Sequence, residues 1–215
     1  MLLVPLDTPV EVRAEKFRQV LNNKNAGSYR VLQESTEEFP EAEVPAVRRP
    51  RLTSGGKSLV AVARGRTRAE GIRIAVDLLG GICRAISPPL PVLIKPNFNS
   101  ADPFPASSHP DHLQALIELI REAGCEEIDI GELGGLLSLP AALNFERWGM
   151  DEFRKRNGNG VVLFDEEPWV KARVPGAHRW GGWIHCQERI LRPNQHIVSA
   201  PTMKSHGGGP RFSLS

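Results

Sequence analysis

The chain is poor in cysteine, in long apolar runs and in net charge, and each shortage excludes a class of protein. Its three cysteines, Cys83, Cys125 and Cys186, are far apart and form no C-x-x-C pair. A zinc ribbon or a locally ligated iron–sulfur cluster is therefore excluded. An odd and sparse cysteine count fits a reducing compartment, and a cytoplasmic location is the expectation. No apolar stretch approaches the ~20 residues that a membrane-spanning helix needs. The opening MLLVPLDTP lacks a basic leader and a long apolar segment, so it does not read as a signal peptide. A net charge of only +2 argues against a general nucleic-acid binder. No G-x-S-x-G elbow is present, and GELGG (131–135) does not meet the spacing of a dinucleotide fingerprint.

What is present is uneven charge and a regular alternation of elements. Residues 31–47 carry Glu34, Glu37, Glu38, Glu41 and Glu43 with no lysine or arginine. From Lys171 onward the chain holds Lys171, Arg173, Arg179, Arg189, Arg192, Lys204 and Arg211 against Glu188 alone. A basic C-terminal third suits an anionic ligand, although scattered charge is more often a solvated face. Residues 1–57 read as a short helix over 11–24 followed by an extended arm or linker rich in Pro, Arg and Gly. The core is expected over 58–215.

In that core SLVAVARG (58–65) reads as a strand and TRAEGIRIAVDLLGGI as a helix with Ile72, Ala75, Val76, Leu79 and Ile82 on one face. PVLIK (91–95) is a second strand. HPDHLQALIELIREAG (109–124) is the clearest helix, with Pro110 at its first position, Leu113, Leu116, Ile117 and Ile120 as its stripe and Gly124 as its stop. EEIDIGE (126–132), VVLFD (161–165) and HIVSAP (196–201) are further strands. LPAALNFERWGMDEFRKRNG supplies one or two helices, and WVKARV with WIHCQERIL reads as an antiparallel pair or as surface strands. Apolar strands alternating with helices predict an α/β fold, a Rossmann-like, mostly parallel sheet with helices on both faces.

Ligands of such sheets sit beyond the carboxyl ends of the strands. That rule selects three exits: Lys95-Pro96-Asn97-Phe98-Asn99, Glu132-Leu133-Gly134-Gly135, and Pro201-Thr202-Met203-Lys204-Ser205-His206 with Gly207–Gly209. Lys95 and Lys204 suit the binding of a small anion or the role of a base, and His206 suits proton transfer near neutrality. Asn97, Asn99 and Glu132 are candidate substrate-orienting groups, with Gly134 and Gly207 allowing close backbone approach. The alternative is that charged residues merely end strands and glycines merely make turns. SGGKS (54–58) lacks the first glycine of a phosphate-binding loop and precedes a strand, so it is rejected. His109 and His112 supply only two local ligands, so they read as a helix start and no metal is assigned.

At these same exits the sequence resembles the family called domain of unknown function 362. The resemblance rests on VLIKPNFNS (92–100), SSHPDHLQALIELIREAG, IDIGELGG, the F-x-x-x-G of Phe145 to Gly149, and IVSAPTMKSH (197–206) followed by FSLS. KPN and the late K-x-H are its most specific pieces, and residues 1–57 lie outside it. The resemblance implies an α/β fold. Members often carry a ferredoxin-like module with cysteine-ligated iron–sulfur clusters, which implies a loose link to redox chemistry; this chain has no such module, and its cofactor is left unassigned. Members also continue beyond FSLS, so the comparison implies a C-terminally truncated chain.

Two functions remain open from the sequence. One is an enzyme, or enzyme remnant, acting on a small anionic substrate or cofactor at the strand-exit edge. The other is a non-catalytic docking or electron-transfer partner of an iron–sulfur protein. Nucleic-acid binding is the least favoured.

Overall fold

The structure, a computed structural model, describes residues 39–45, 52–134, 140–177, 181–206 and 209–213; for 205, 206 and 209–213 it describes the backbone alone. The expected helix over 11–24 lies outside the described residues.

A four-stranded parallel sheet forms the centre, confirming an α/β fold. Its strands are β4 (Val92–Lys95), β5 (Ile128–Glu132), β6 (Gly160–Leu163) and β9 (His196–Ser199), in the order β6-β5-β4-β9. Leu93 stands level with Asp129 on one side and Ile197 on the other. From β4 the chain steps outward twice, to β5 and β6, then returns to the far side of β4 as β9. The point where the order reverses therefore lies between β4 and β9.

Helix α1 (Arg68–Leu78) precedes β4, α2 (Pro110–Glu122) connects β4 to β5, and α3 (Ala141–Trp148) and α4 (Met150–Asn157) connect β5 to β6. Local sequence accounts for their ends. Thr67 caps α1 by accepting from the Glu70 amide, and Gly80 and Gly81 follow at positive φ. His109 caps α2 through Nδ1, with Pro110 in the first turn. Gly149, at φ +84°, ends α3 and starts α4 in one left-handed residue.

The core lies between the sheet and α2, α3 and α4. Val92, Ile94, Ile128 and Ile130 pack against Leu113, Ile117, Ile120, Phe145, Met150 and Phe153. Fully burying each large aliphatic side chain contributes roughly 2 kcal/mol, so this face supplies most of the driving force. Helix α1 buries no residue completely and rides on α2, to which Arg73 is tied by Glu118 and Glu122.

The opposite face departs from the expected second helical layer. Its cluster is Leu93, Val162 and Phe164, with Leu133 and Ile190 packed against it; Ile190 sits in a 3-10 turn over Glu188–Leu191. Among the described residues no α-helix joins this cluster. The return from β6 to β9 is spent on an antiparallel pair, β7 (Trp169–Arg173) and β8 (Trp183–Gln187), one of the two arrangements expected of WVKARV and WIHCQERIL. Residues of the arm join it: β1 (Glu41–Ala42) runs parallel to β7.

Two further strand expectations change. SGGKS is the turn of a small hairpin, β2 (Thr53–Ser54) with β3 (Lys57–Ser58), and Gly55 and Gly56 take the positive φ of its two turn positions. The predicted strand over 58–65 contributes only Ser58 to a ladder. The exit of β9, expected as a loop, forms β10 (Lys204–His206), which pairs antiparallel with β11 (Gly209–Ser213).

Candidate functional site

The carboxyl ends of β4, β5 and β9 converge because the strands are parallel and adjacent. Lys95 is the last residue of β4 and Glu132 the last of β5. The Lys95 Nζ lies 3.0 Å from Glu132 Oε1 and 3.1 Å from Oε2, and it also reaches the Pro96 carbonyl at 3.2 Å. Glu132 is 2% exposed and Lys95 33%, so the pair presents its cation to solvent and hides its anion. The Glu132 carboxylate accepts two more hydrogen bonds, from the amides of Phe98 (3.2 Å) and Leu133 (3.0 Å). Burial pushes the Glu132 carboxyl above the ordinary range, and the Lys95 charge and these hydrogen bonds pull it part of the way back.

Side chains distant in sequence clamp the KPNFN segment. The Ser108 hydroxyl accepts from the Asn97 amide and donates to the Ala200 carbonyl, each at 3.0 Å. One buried hydroxyl thus joins the exits of β4 and β9 across the point where the strand order reverses. Asn144, from α3, donates to the carbonyls of Phe98 and Asn99 at 3.3 and 3.2 Å. Trp148 Nε1 donates to the Ser108 carbonyl at 3.2 Å, and its ring lies against Phe98. Sequence reasoning missed Ser108, Asn144 and Trp148; no motif marks them, because their contacts span 11 to 92 residues.

Asn97 is wholly buried, and neither its Oδ1 nor its Nδ2 has a hydrogen-bond partner among the described residues. The Asn144 Oδ1 is likewise unpartnered. Buried polar atoms left unpaired cost about 1–3 kcal/mol each, so both carboxamides stand out among the buried polar groups at this edge. Asn99 is half-buried at the start of the long β4–α2 loop, and Gly134 is buried just beyond β5.

Lys204 begins β10 and sends its Nζ 2.7 Å to the Ala106 carbonyl in the β4–α2 loop. Its ammonium pairs with no carboxylate among the described residues. His206 is in β10, level with Gly209; Gly207 lies outside the described residues. Lys95, Asn97, Asn99, Glu132, Gly134 and Lys204 therefore all stand at one edge of the sheet. Two cavities among the described residues lie away from this edge: about 240 Å³ against α3, α4 and β6, and a larger groove between the arm and β7–β8.

Neighbouring groups have structural duties. His109 caps α2 as expected, and no group of three or more histidine, cysteine or acidic residues is placed to hold a metal among the described residues. His196 Nε2, at the opposite edge, accepts from the Ser87 amide at 2.8 Å.

Residues 92–215, more than half of the chain, match the family described as Domain of unknown function (DUF362), and the chain belongs to that family. The match begins at β4, so it contains every candidate site residue. No curated protein and no solved structure matches the chain. No helix among the described residues is long and apolar enough to cross a membrane.

Proposed function

We propose that the carboxyl edge of the sheet binds a small anionic substrate or cofactor and that the chain is an enzyme, or enzyme remnant, of Rossmann-like architecture. The observation that carries this reading is the reach of Lys204 to the Ala106 carbonyl. It brings the β9 exit over the β4 exit, where α/β sheets of this kind hold their ligands.

The two lysines differ in what they can do. The Lys95 charge is neutralised by Glu132, whereas Lys204 spends one N–H on a carbonyl and keeps two donors and its charge for an anion. Lys204 is thus the anion's counter-ion. The Lys95 ammonium can pass one proton to a bound group and become the neutral amine, while the buried Glu132 carboxylate holds it in place by accepting its remaining N–H groups. Glu132 acts through Lys95; Asn97 and Asn99 set the loop, and His206 of the K-x-H segment is the proton carrier. Gly134 and Gly207 let the backbone come close to the ligand.

A second reading, docking to an iron–sulfur protein in electron transfer, is favoured by Phe104 and Met203. Both are large apolar side chains exposed on the loops of this same edge, at 48% and 74%.

A thermal-shift series with inorganic phosphate, pyrophosphate, malonate and citrate tests the first reading. A saturable rise in Tm above that in potassium chloride of matched ionic strength is expected for at least one anion. No rise beyond the chloride control with any of them, together with purified protein that retains an iron–sulfur protein, supports docking instead.

A further inference from the structure

The segment that leaves β3 is strand-like in composition yet joins no ladder. Residues 59–65, LVAVARG, alternate residue by residue: Leu59, Ala61, Ala63 and Gly65 are half-covered, while Val60, Val62 and Arg64 are exposed. Val60 and Val62 are 83% and 88% exposed. This period of two is that of an extended chain lying on the body with one face. No described residue makes a hydrogen bond to the backbone of residues 60–65. Two outward valines in succession are costly for a solvent-facing ribbon, and unpaired N–H and C=O groups beside them form a template for another strand.

Charge selects the partner. Between Leu52 and Ala69 the chain carries Lys57, Arg64, Arg66 and Arg68 and no acidic residue. Arg66 is paired with Glu70, and Arg68 lies over the Phe104 ring, 4.7 Å from its centroid. Lys57 and Arg64 meet no carboxylate among the described residues. A parallel, in-register second copy of this strand would set Arg64 against Arg64, which destabilises cross-strand pairing. On the face that Val60, Val62 and Arg64 share, a partner strand with an acidic residue opposite Arg64 and β-branched residues opposite Val60 and Val62 meets them favourably.

We propose that residues 59–65 are a docking strand that pairs, edge to edge, with an acidic extended segment of a partner polypeptide. Main-chain hydrogen bonds supply the affinity, and the valines with Arg64 supply the selection.

The test uses the full chain and a fluorescein-labelled heptapeptide, Thr-Glu-Thr-Val-Thr-Val-Thr, whose one face carries a glutamate to meet Arg64 and two valines to meet Val62 and Val60 in antiparallel pairing. Fluorescence anisotropy gives the affinity, and hydrogen–deuterium exchange reads the amides of Val60 to Gly65. Those amides are expected to exchange freely in the unbound chain and to become protected when the peptide binds. Affinity is expected to fall at least tenfold in Arg64→Glu and in Val62→Pro, which removes a ladder donor at an exposed position and spares the core. Slow exchange at these amides in the unbound chain, meaning that they already have a partner within the chain or in a second copy, overturns the proposal. So does absent peptide binding, binding unchanged in both variants, or equal binding of a ten-residue oligothymidylate, which would assign the strip to nucleic acid.

Discussion

The Lys95 ammonium and the Glu132 carboxylate meet at 3.0 Å across the ends of two adjacent parallel strands, with the anion buried and the cation one-third exposed. Two backbone amides complete the carboxylate, so Glu132 organises the exits of both β4 and β5. Truncation leaves Lys95 without its counter-ion and the amides of Phe98 and Leu133 without acceptors. Glu132→Ala is expected to cost about 3 kcal/mol in urea unfolding.

The isosteric Glu132→Gln separates charge from shape. Burial raises the native carboxyl above its unfolded value, so the folded state holds the proton more tightly. Stability from this group is fully present below the unfolded value and is lost as pH rises through the native one. Wild-type unfolding free energy should therefore decline across that window, and the glutamine variant should lack this component.

His112 has the opposite sign. Burial first, then the charges of Arg68 and His109, depress its native pKa below the ordinary 6.5. Its contribution is present above the unfolded value and lost as pH falls through the native one. Denaturation series at stepped pH are expected to show this acid-side loss in wild type and its absence in His112→Gln.

Ser108 is the buried link between the exits of β4 and β9. Ser108→Ala removes both of its side-chain hydrogen bonds and leaves the Asn97 amide and the Ala200 carbonyl short of a partner. A loss of about 1–3 kcal/mol is expected in chemical denaturation, together with faster amide exchange at Asn97.

Two glycines fail on substitution for different reasons. A Cβ on Gly131 would lie 2.7 Å from the Phe164 ring and 3.0 Å from Leu93, so Gly131→Ala overpacks the smaller core by about 1–3 kcal/mol. A Cβ on Gly149 meets nothing, but its φ of +84° costs an L-residue about 1–2 kcal/mol. Thermal unfolding of both variants checks the pair, and Gly131→Ala alone should perturb the Phe164 signals in an NMR spectrum.

The elements legible in the sequence are those whose signals are local. Pro110, the Leu113–Ile120 stripe and Gly124 define α2 without reference to anything else, and the apolar runs of β4, β5 and β9 predict a buried parallel sheet. Lys95 and Glu132 followed from one rule, that parallel strands deliver their exits to one edge. What was not legible depends on partners. LVAVARG has strand composition, but composition does not say what lies alongside it, and no described strand does. The glycines at 207–209 suggested a loop, whereas Lys204–His206 pairs with the strand that follows. The second helical layer was inferred from strand–helix alternation, which the β7–β8 pair interrupts. Ser108 and Asn144 act through contacts that only the folded chain creates.

The central claim is that an anion is held at the strand-exit edge with Lys204 as its counter-ion. Isothermal titration of the full chain, and of its Lys204→Ala and Lys204→Arg variants, with inorganic phosphate and with malonate tests it most directly. Saturable binding of one of these anions, lost at least tenfold in the alanine variant, largely kept in the arginine variant, and accompanied by a Tm within a few degrees of wild type, is the predicted result. Undetectable binding of either anion to the wild-type chain, or affinity unchanged by Lys204→Ala, would contradict it.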